Sequence, residues 1–535
     1  MQTVILLVLS VVGLYVLQKY IEFRQTVNSI QNFPGFRVLF GVGNQLLRHR
    51  IPLISFGNFA TWKYKHKDFA DAGMDIFSTK NNVKRLSLQH FKVSVWPHVV
   101  TYFVADAPAL KEITASRARF PKPLWQYKVL SFYGSNIVIT EGDEWKRHRK
   151  ITAPAFSERN NRLVWDESIR IVQDLCGTVW GTKEDITIDN IVDLTVPIAL
   201  FVIGVAGFGR RISWSEDIVV PAGHAMTFKD ALHTVSTDLF LKIVVPDFVL
   251  KLDLTTRLKT FRVAYDELER YMVEMIRARK TSEKEEERYD LFSSLLDASE
   301  DELDGQTKLS DSETIGNIFI FLIAVRISAG HETTAHTLAY AFIMLALYQD
   351  EQEILYQHIK SVLPDGRIPT YEEMGLLTQS MAVFHETLRM FPPVCSIPKH
   401  CVEDTTLLTR NAAGEALLVP IPKGTNIVIH TPGLHYNPRY WVDPHTFKPA
   451  RFLSDWPRDA FMPFSGGARS CLGRRFSETE GVAILTYLVS RYRIEVKEEP
   501  QFASETFEQR KDRLLESRSA ITLYPVKAGL VFKRR

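Results

Sequence analysis

Cysteine is scarce in this chain. The four present, Cys176, Cys395, Cys401 and Cys471, have neither the spacing of a zinc knuckle nor the density of a disulfide framework, and so few in 535 residues fit a reducing compartment. Charge of one sign is lacking as well. With 65 Lys+Arg against 62 Asp+Glu the formal net charge is +3, which gives no electrostatic reason to expect nucleic acid or an acidic partner. No internal repeat and no Gly-, Ser- or Pro-rich linker divides the chain, although its length alone suggests several domains. No Gly-x-Gly-x-x-Gly follows a strand, and Gly41-Val42-Gly43 lacks the third glycine, so the chain carries no dinucleotide site of its own. Hydrophobic residues are abundant, at 45% with 11% aromatic, enough for a large packed core.

The N-terminus departs from the rest. Val4 to Leu17 is apolar apart from Ser10, Gly13 and the amphipathic Tyr15. A helix of that length rises roughly 21 Å, short of a bilayer core of roughly 30 Å; extension over residues 1–20 reaches it, with Lys19 snorkelling to the interface. No basic residue precedes the run and no Ala-x-Ala follows it, so an uncleaved anchor is expected rather than a signal peptide. The basic residues lie after it (Lys19, Arg24, Arg37, Arg48, Arg50), which places the body of the protein on the cytoplasmic side. The expected division is an anchor over 1–23, a hinge over 24–36 with a turn at Asn32-Phe33-Pro34-Gly35-Phe36, and one catalytic domain over 37–535. A second apolar stretch, Val192 to Phe208, contains Asp193, Pro197, Gly204 and Gly207 and is expected as a buried core helix.

Alternation around Val93-Ser94-Val95-Trp96 and Thr101-Tyr102-Phe103-Val104 predicts a small sheet within residues 80–105. Helical periodicity dominates from about residue 140 to 390, with one long helix from Glu313 to Tyr348. The charged run Ser282 to Asp290 is expected as a solvated helix end and Asp297 to Ser312 as a surface loop; short strands return over 391–430. The fold class is therefore mainly α with a small β region, preceded by a transmembrane helix.

The most informative segment is Pro463-Phe464-Ser465-Gly466-Gly467-Ala468-Arg469-Ser470-Cys471-Leu472-Gly473-Arg474-Arg475. It offers a single cysteine in a glycine-rich turn, an arginine two residues before it and a helical segment, Phe476 to Val489, after it. Amides at that helix start can stabilise a thiolate. The glycines allow close approach of a flat ligand, and Arg469 can pair with its acidic groups. A lone thiolate of this kind suits the axial position of a haem iron. A buried structural cysteine is the alternative reading.

Phe464, Gly467, Arg469, Cys471 and Gly473 together resemble the haem-binding signature of the cytochrome P450 family. Further motifs carry the resemblance over residues 35–530. Gly330-His331-Glu332-Thr333-Thr334 resembles the family's acid–threonine element on the distal side of the haem, which implies that Thr333 holds dioxygen and a water while Glu332 relays protons. The rival reading, a zinc peptidase, fails because His336 follows His331 at i+5, about 140° away around a helix, and not at i+4. Glu386 and Arg389, at i and i+3, can pair on one helix face; with Arg451 of Phe447-Lys448-Pro449-Ala450-Arg451-Phe452 they resemble the family's structural charge network. Trp145 and Arg149, from Trp145-Lys146-Arg147-His148-Arg149, and more weakly Lys399, match positions that reach haem propionates. The plainer alternatives for these motifs are an incidental acid–Thr pair, a surface ion pair and an amphipathic helix end; their order before Cys471 favours the family reading.

One departure stands out: Val325-Arg326-Ile327-Ser328-Ala329 is interposed between the apolar run and Gly330. Five helical residues turn about 500°, so the preceding segment arrives about 140° out of phase. Two readings are open: a bulge absorbs the excess, or the gene structure keeps a little extra coding sequence. The resemblance implies a membrane-bound, fungal-type haem-thiolate monooxygenase that hydroxylates a lipophilic substrate, such as a terpenoid or other secondary metabolite, with O2. Its implied partners are an NADPH–cytochrome reductase, a small electron-transfer haem protein and membrane lipid, with residence in the endoplasmic reticulum. The alternatives are a haem-thiolate isomerase or dehydratase, and a haem protein inactivated by residues 325–329.

Overall fold

A computed structural model describes residues 2–31, 35–40, 88–96, 100–209, 214, 220–239, 241–242, 245–281, 290–300, 308–327, 331–410, 415–519 and 522–535. Helix Gln2–Ser29 opens the chain, with one apolar side chain after another exposed from Ile5 to Ile21. Its stretch Ile5–Ser29 is long and apolar enough to cross a membrane. At its C-terminal end Val27 and Ile30 are buried in a cluster with Val100, Tyr102, Leu407 and Val419, so the exposed helix grows out of the packed body at one sheet.

That sheet is mixed and five-stranded, in the order Gly35–Phe40, Leu88–Trp96, Val100–Val104, Asn426–His430, Ser396–His400. The first and third pairings are parallel, the second and fourth antiparallel. Burial on alternate residues of Val100–Val104 is the half-buried period-two pattern that the sequence displayed. The Tyr102 hydroxyl donates to Pro420 O at 2.9 Å, joining the sheet to the hairpin Thr405–Arg410/Ala416–Ile421. A second sheet brings Asp185–Ile188 and Tyr492–Val496 to either side of Leu530–Arg534.

Helices form the larger part. Val192–Phe208 is apolar all round and almost wholly buried from Leu194 to Phe208, the pattern of a central core helix and not of a span. It packs beside Glu158–Asp174, whose N-terminus is capped by Ser157 accepting from the Asn160 amide. The helix that follows the cysteine loop, Arg474–Arg491, is likewise buried from Phe476 to Val489. Gly481 makes one of its contacts possible: a Cβ there would lie 2.2 Å from the Phe384 ring of helix Thr378–Met390.

The predicted helix Glu313–Tyr348 is described as helix over Asp311–Ile327 and His331–Leu347, with residues 328–330 outside those described. Two expectations need correction. The expected loop Asp297–Ser312 begins inside helix Leu291–Glu300 and ends inside Asp311–Ile327, because amphipathic turns flank its polar middle. Gly35 and Phe36, expected in a turn, open a strand, since edge pairing with Phe91 and Lys92 satisfies their backbone. Residues 32–34 of that turn, and 282–289 of the charged run, lie outside the described residues.

Candidate haem site

The cysteine loop is closed by its own backbone. The Cys471 amide donates to Phe464 O at 2.9 Å and that of Ser470 to Gly467 O at 3.1 Å. Gly467 has φ +64, and a Cβ there would stand 2.4 Å from the carbonyl oxygen of Thr114 on helix Ala107–Ala115. The close approach that requires glycine here is thus to another helix, which seats the loop. Phe464 packs at the edge of the Val100–Tyr102 cluster, with the Arg474 guanidinium 5.7 Å from its ring centre.

Cys471 retains accessible surface although protein surrounds it on all sides, so it faces an internal space. Burial pushes its thiol up; the Gly473 amide, Arg149 and Arg474 oppose this without overcoming it. The Gly473 amide, at the start of the following helix, thus acts in the direction that favours a thiolate. A metal cation on the sulfur would supply the missing charge, since a coordinating thiol is deprotonated outright.

Beside the loop lies an excess of cations. Trp145 and Arg149 stand one turn apart on helix Gly142–Thr152, and Arg149 Nη1 donates to Ser470 O at 3.1 Å. The Trp145 ring, almost fully buried, carries three guanidinium groups: Arg469 at 4.2 Å, Arg117 at 4.4 Å and Arg149 at 5.7 Å from its centre. Lys399, on strand Ser396–His400, is buried nearby, as is the ammonium of Lys122, which donates to Val138 O at 2.9 Å. Among the described residues, the carboxylate hydrogen-bonded into this group is Glu141. Glu141 accepts from Arg469 Nη2 at 2.6 Å and from the Lys122 amide at 3.0 Å.

The imbalance shows in their titration. Burial pushes Glu141 up, yet Arg469 and Lys122 outweigh it and hold the carboxyl below its ordinary value. Burial lowers Lys399 to about 8, with Arg469 and Arg117 adding to the fall against Glu141. Burial likewise lowers Lys122, helped by Arg469 and Lys399. Arg469 donates to Ile137 O at 3.2 Å and Thr140 O at 2.6 Å, while its buried Nε has no partner. Buried cations in excess, with an orphaned guanidinium donor beside a cysteine that faces internal space, fit a planar iron ligand bearing two carboxylates. Trp145, Arg149, Lys399, Arg469 and Cys471 are thus brought together. Arg117, Lys122 and Glu141 were missed, although a lysine held between two prolines, Pro121-Lys122-Pro123, is a local signal of fixed backbone.

Glu386, Arg389 and Arg451 are joined in one charge network. Arg389 meets Glu386 with both its Nε (2.7 Å) and Nη2 (2.9 Å), and Arg451 Nε adds a third bond to Glu386 at 3.0 Å. Arg389 Nη1 also donates to His435 O and Pro444 O, so the fully buried pair is saturated.

Thr334 Oγ1 donates to Ser477 Oγ at 2.9 Å, which fastens the helix that carries Thr333 to the helix that follows Cys471. Thr333 is half-buried, and its carbonyl accepts from Thr337 Oγ1 at 2.6 Å. The side chains of Arg326, His331 and Glu332 lie outside those described. His336 is buried with its ring 5.6 Å from that of Tyr524. Among the described residues, Glu144, His148 and Glu313 form a group of metal-ligating type. Burial pushes Glu313 up, but Arg147 and Ser310 hold it down to about 2, and the guanidinium bound to both its oxygens repels a second cation. Asn317 meanwhile takes His148 Nδ1.

The family model for cytochrome P450 matches residues 68–517. A protein described as cytochrome P450 monooxygenase 124, from Postia placenta, is 64% identical over 535 residues, covering 100% of both chains. Cytochrome P450 monooxygenase ORF6 of Penicillium roqueforti is 30% identical, covering 82% of this chain and 81% of its own. The haem domain of cytochrome P450DA superposes with a TM-score of 0.69 at 20% identity, covering 94% of this chain and 98% of that one. The fold and the loop around Cys471 are those of a haem-thiolate oxidoreductase. The chain belongs to the cytochrome P450 family, whose members bind haem through a cysteine thiolate, and it is a monooxygenase.

Proposed function

We propose that this chain is a membrane-anchored monooxygenase that hydroxylates a small lipophilic substrate, a terpenoid or another secondary metabolite. Cys471 is the axial ligand. Arg469, Arg149, Trp145 and Lys399, with Lys122 and Arg117, receive the propionates, while Phe464 and Gly467 shape the loop. Bound there, haem supplies dioxygen activation with electron density from the thiolate. Thr333 orients oxygen and water by its hydroxyl, and Glu332 hands protons to that side. The observation that carries the reading is the Thr334–Ser477 hydrogen bond, which joins two motifs 143 residues apart in sequence into one site.

Residues 1–23 serve as the anchor, 24–36 as the link and 37–535 as the catalytic domain, on the cytoplasmic face of the endoplasmic reticulum. Apolar length supports the anchor. Electrons come from NADPH through a separate flavoprotein reductase, with a small electron-transfer haem protein as a second donor. The fungal relatives, described as monooxygenases, support the reaction type. An isomerase or dehydratase that consumes peroxide would need no acid–threonine pair, and Glu332-Thr333 is present; dependence of turnover on NADPH separates the two.

A second reading is a haem protein that assembles without turnover, motivated by the Val325–Ala329 excess, which shifts the helix phase by about 140°. The test is the absorption spectrum of the reduced, carbon-monoxide-bound full-length protein and of a variant lacking 325–329. A strongly red-shifted Soret band in the full chain supports thiolate ligation and an assembled site, and substrate screening with reductase then tests turnover. An unshifted band restored by the deletion supports the second reading. An unshifted band in both overturns the assignment of Cys471.

A further inference from the structure

Two buried tyrosines hold each other by a reciprocal pair of bonds. The Tyr133 hydroxyl donates to Tyr265 O at 2.7 Å, and the Tyr265 hydroxyl donates to Phe132 O at 2.7 Å. Their rings stack with centres 4.2 Å and planes 15° apart, and the Phe319 ring of helix Asp311–Ile327 stands across Tyr133 at 4.3 Å. Burial raises both phenols above their ordinary value, with Glu269 and Asp266 adding to the rise, so each remains a donor. Tyr265 belongs to the long helix Thr256–Thr281, whereas Tyr133 lies in the irregular segment 131–141 that leads into helix Gly142–Thr152.

That segment also carries acceptors of Arg469. Arg469 Nη1 donates to Ile137 O at 3.2 Å, and its Nη2 to Thr140 O and to Glu141, each at 2.6 Å. Between the tyrosine and these acceptors the backbone is knitted by one buried side chain. Asn136 Nδ2 donates to Leu130 O at 3.0 Å, while its Oδ1 accepts from the amides of Val138 and Ile139 at 3.0 and 3.2 Å. Thr140 Oγ1 closes the turn on Asn136 O at 3.1 Å. A planar guanidinium takes its orientation from the acceptors that its fork meets. We infer that the Tyr133–Tyr265 clasp is a positioning device for Arg469: it fixes segment 131–141 on helix Thr256–Thr281, and the segment's carbonyls in turn aim the guanidinium. The two tyrosines act through the backbone and touch no reacting group. A contiguous chain of bonds thereby joins a long helix outside the cysteine loop to the arginine within it. The inference rests on the role proposed above for Arg469 toward the haem propionates.

The test uses the full-length haem-loaded protein as wild type, Tyr133→Phe, Tyr265→Phe, the double variant and Arg469→Lys. Each Phe variant loses one hydroxyl and keeps the stacked ring; Arg469→Lys keeps the charge and loses the fork. Amide exchange over 131–141 should speed by roughly five-fold for each bond lost. The haem-propionate bending band in resonance Raman spectra and the ferric–ferrous midpoint potential should both move in the direction set by Arg469→Lys, furthest in the double variant. Faster exchange with band and potential at wild-type values, while Arg469→Lys shifts both, overturns the inference and leaves the role of Arg469 standing. Unchanged exchange in the double variant overturns it as well, because the clasp then does not hold the segment. A band and potential that Arg469→Lys also leaves unmoved remove the propionate role, and the inference falls with it.

Discussion

Asn317 Nδ2 lies 2.8 Å from His148 Nδ1, and this bond crosses from helix Asp311–Ile327 to helix Gly142–Thr152. The same Asn317 accepts from the Ile137 amide at 2.8 Å, while Arg469 donates to the carbonyl of Ile137 at 3.2 Å. Ile137 is therefore gripped on both sides of its backbone, once by the helix leading toward Thr333 and once by the arginine of the cysteine loop. Replacing Asn317 with Leu strands a buried amide and a buried imidazole nitrogen. The expected cost is about 1–3 kcal/mol. Urea unfolding of the haem-loaded protein measures it; a change within error would mean that the grip is incidental.

The Glu386 network predicts an order of effects. Arg389→Leu leaves a buried carboxylate with Arg451 as its one remaining cation, and destabilisation of about 3–5 kcal/mol is expected, as for other broken buried pairs. Arg451→Ala should cost less, because Arg389 keeps both of its bonds to Glu386 and Arg451 is itself partly exposed. Expression yield of haem-loaded protein and its thermal midpoint rank the two variants. Equal losses would mean that Arg389 has no special place in the network.

Gly481→Val tests packing alone. The Phe384 ring fills the position of any Cβ at residue 481, and Phe384 is fully buried, so it has little room to retreat. Overpacking of this kind costs about 1–3 kcal/mol. The double variant Gly481→Val/Phe384→Leu should recover part of the loss, and a denaturant series on the wild type, both single variants and the double reads the coupling.

Motifs confined to one segment were legible in the sequence, because spacing alone decides which side chains share a helix face or a turn. Trp145 with Arg149, Glu386 with Arg389 and the loop before Cys471 are of this kind. Lys122, Glu141, Arg117 and Asn317 were not legible, since their partners lie on other segments and only packing brings them together. Arg451 was placed by resemblance, and its bond to Glu386 across 65 positions follows no local rule. The parallel pairing of Val100–Val104 with Asn426–His430 likewise depends on chain return over more than 300 residues, which alternation does not encode.

His435 predicts an acid limit to stability. Its Nδ1 lies 3.0 Å from Arg389 O and must carry the proton, while Nε2 accepts from the Met462 amide at 2.8 Å and must not. This neutral ring joins the Glu386 helix to the segment leading into the cysteine loop. Burial lowers His435 to about 3, and the Arg389 charge adds to the fall. The folded chain therefore binds no proton here over a range in which the unfolded chain does. Stability from this group is fully present above the ordinary histidine value near 6.5 and is lost as pH falls from there toward 3, at up to about 1.4 kcal/mol per pH unit. His435→Asn, which can keep one of the two bonds, should lower stability at pH 7.5 and flatten the slope between pH 6.5 and 5. Thermal midpoints of both proteins across that interval are the measurement; parallel slopes would place the acid sensitivity elsewhere.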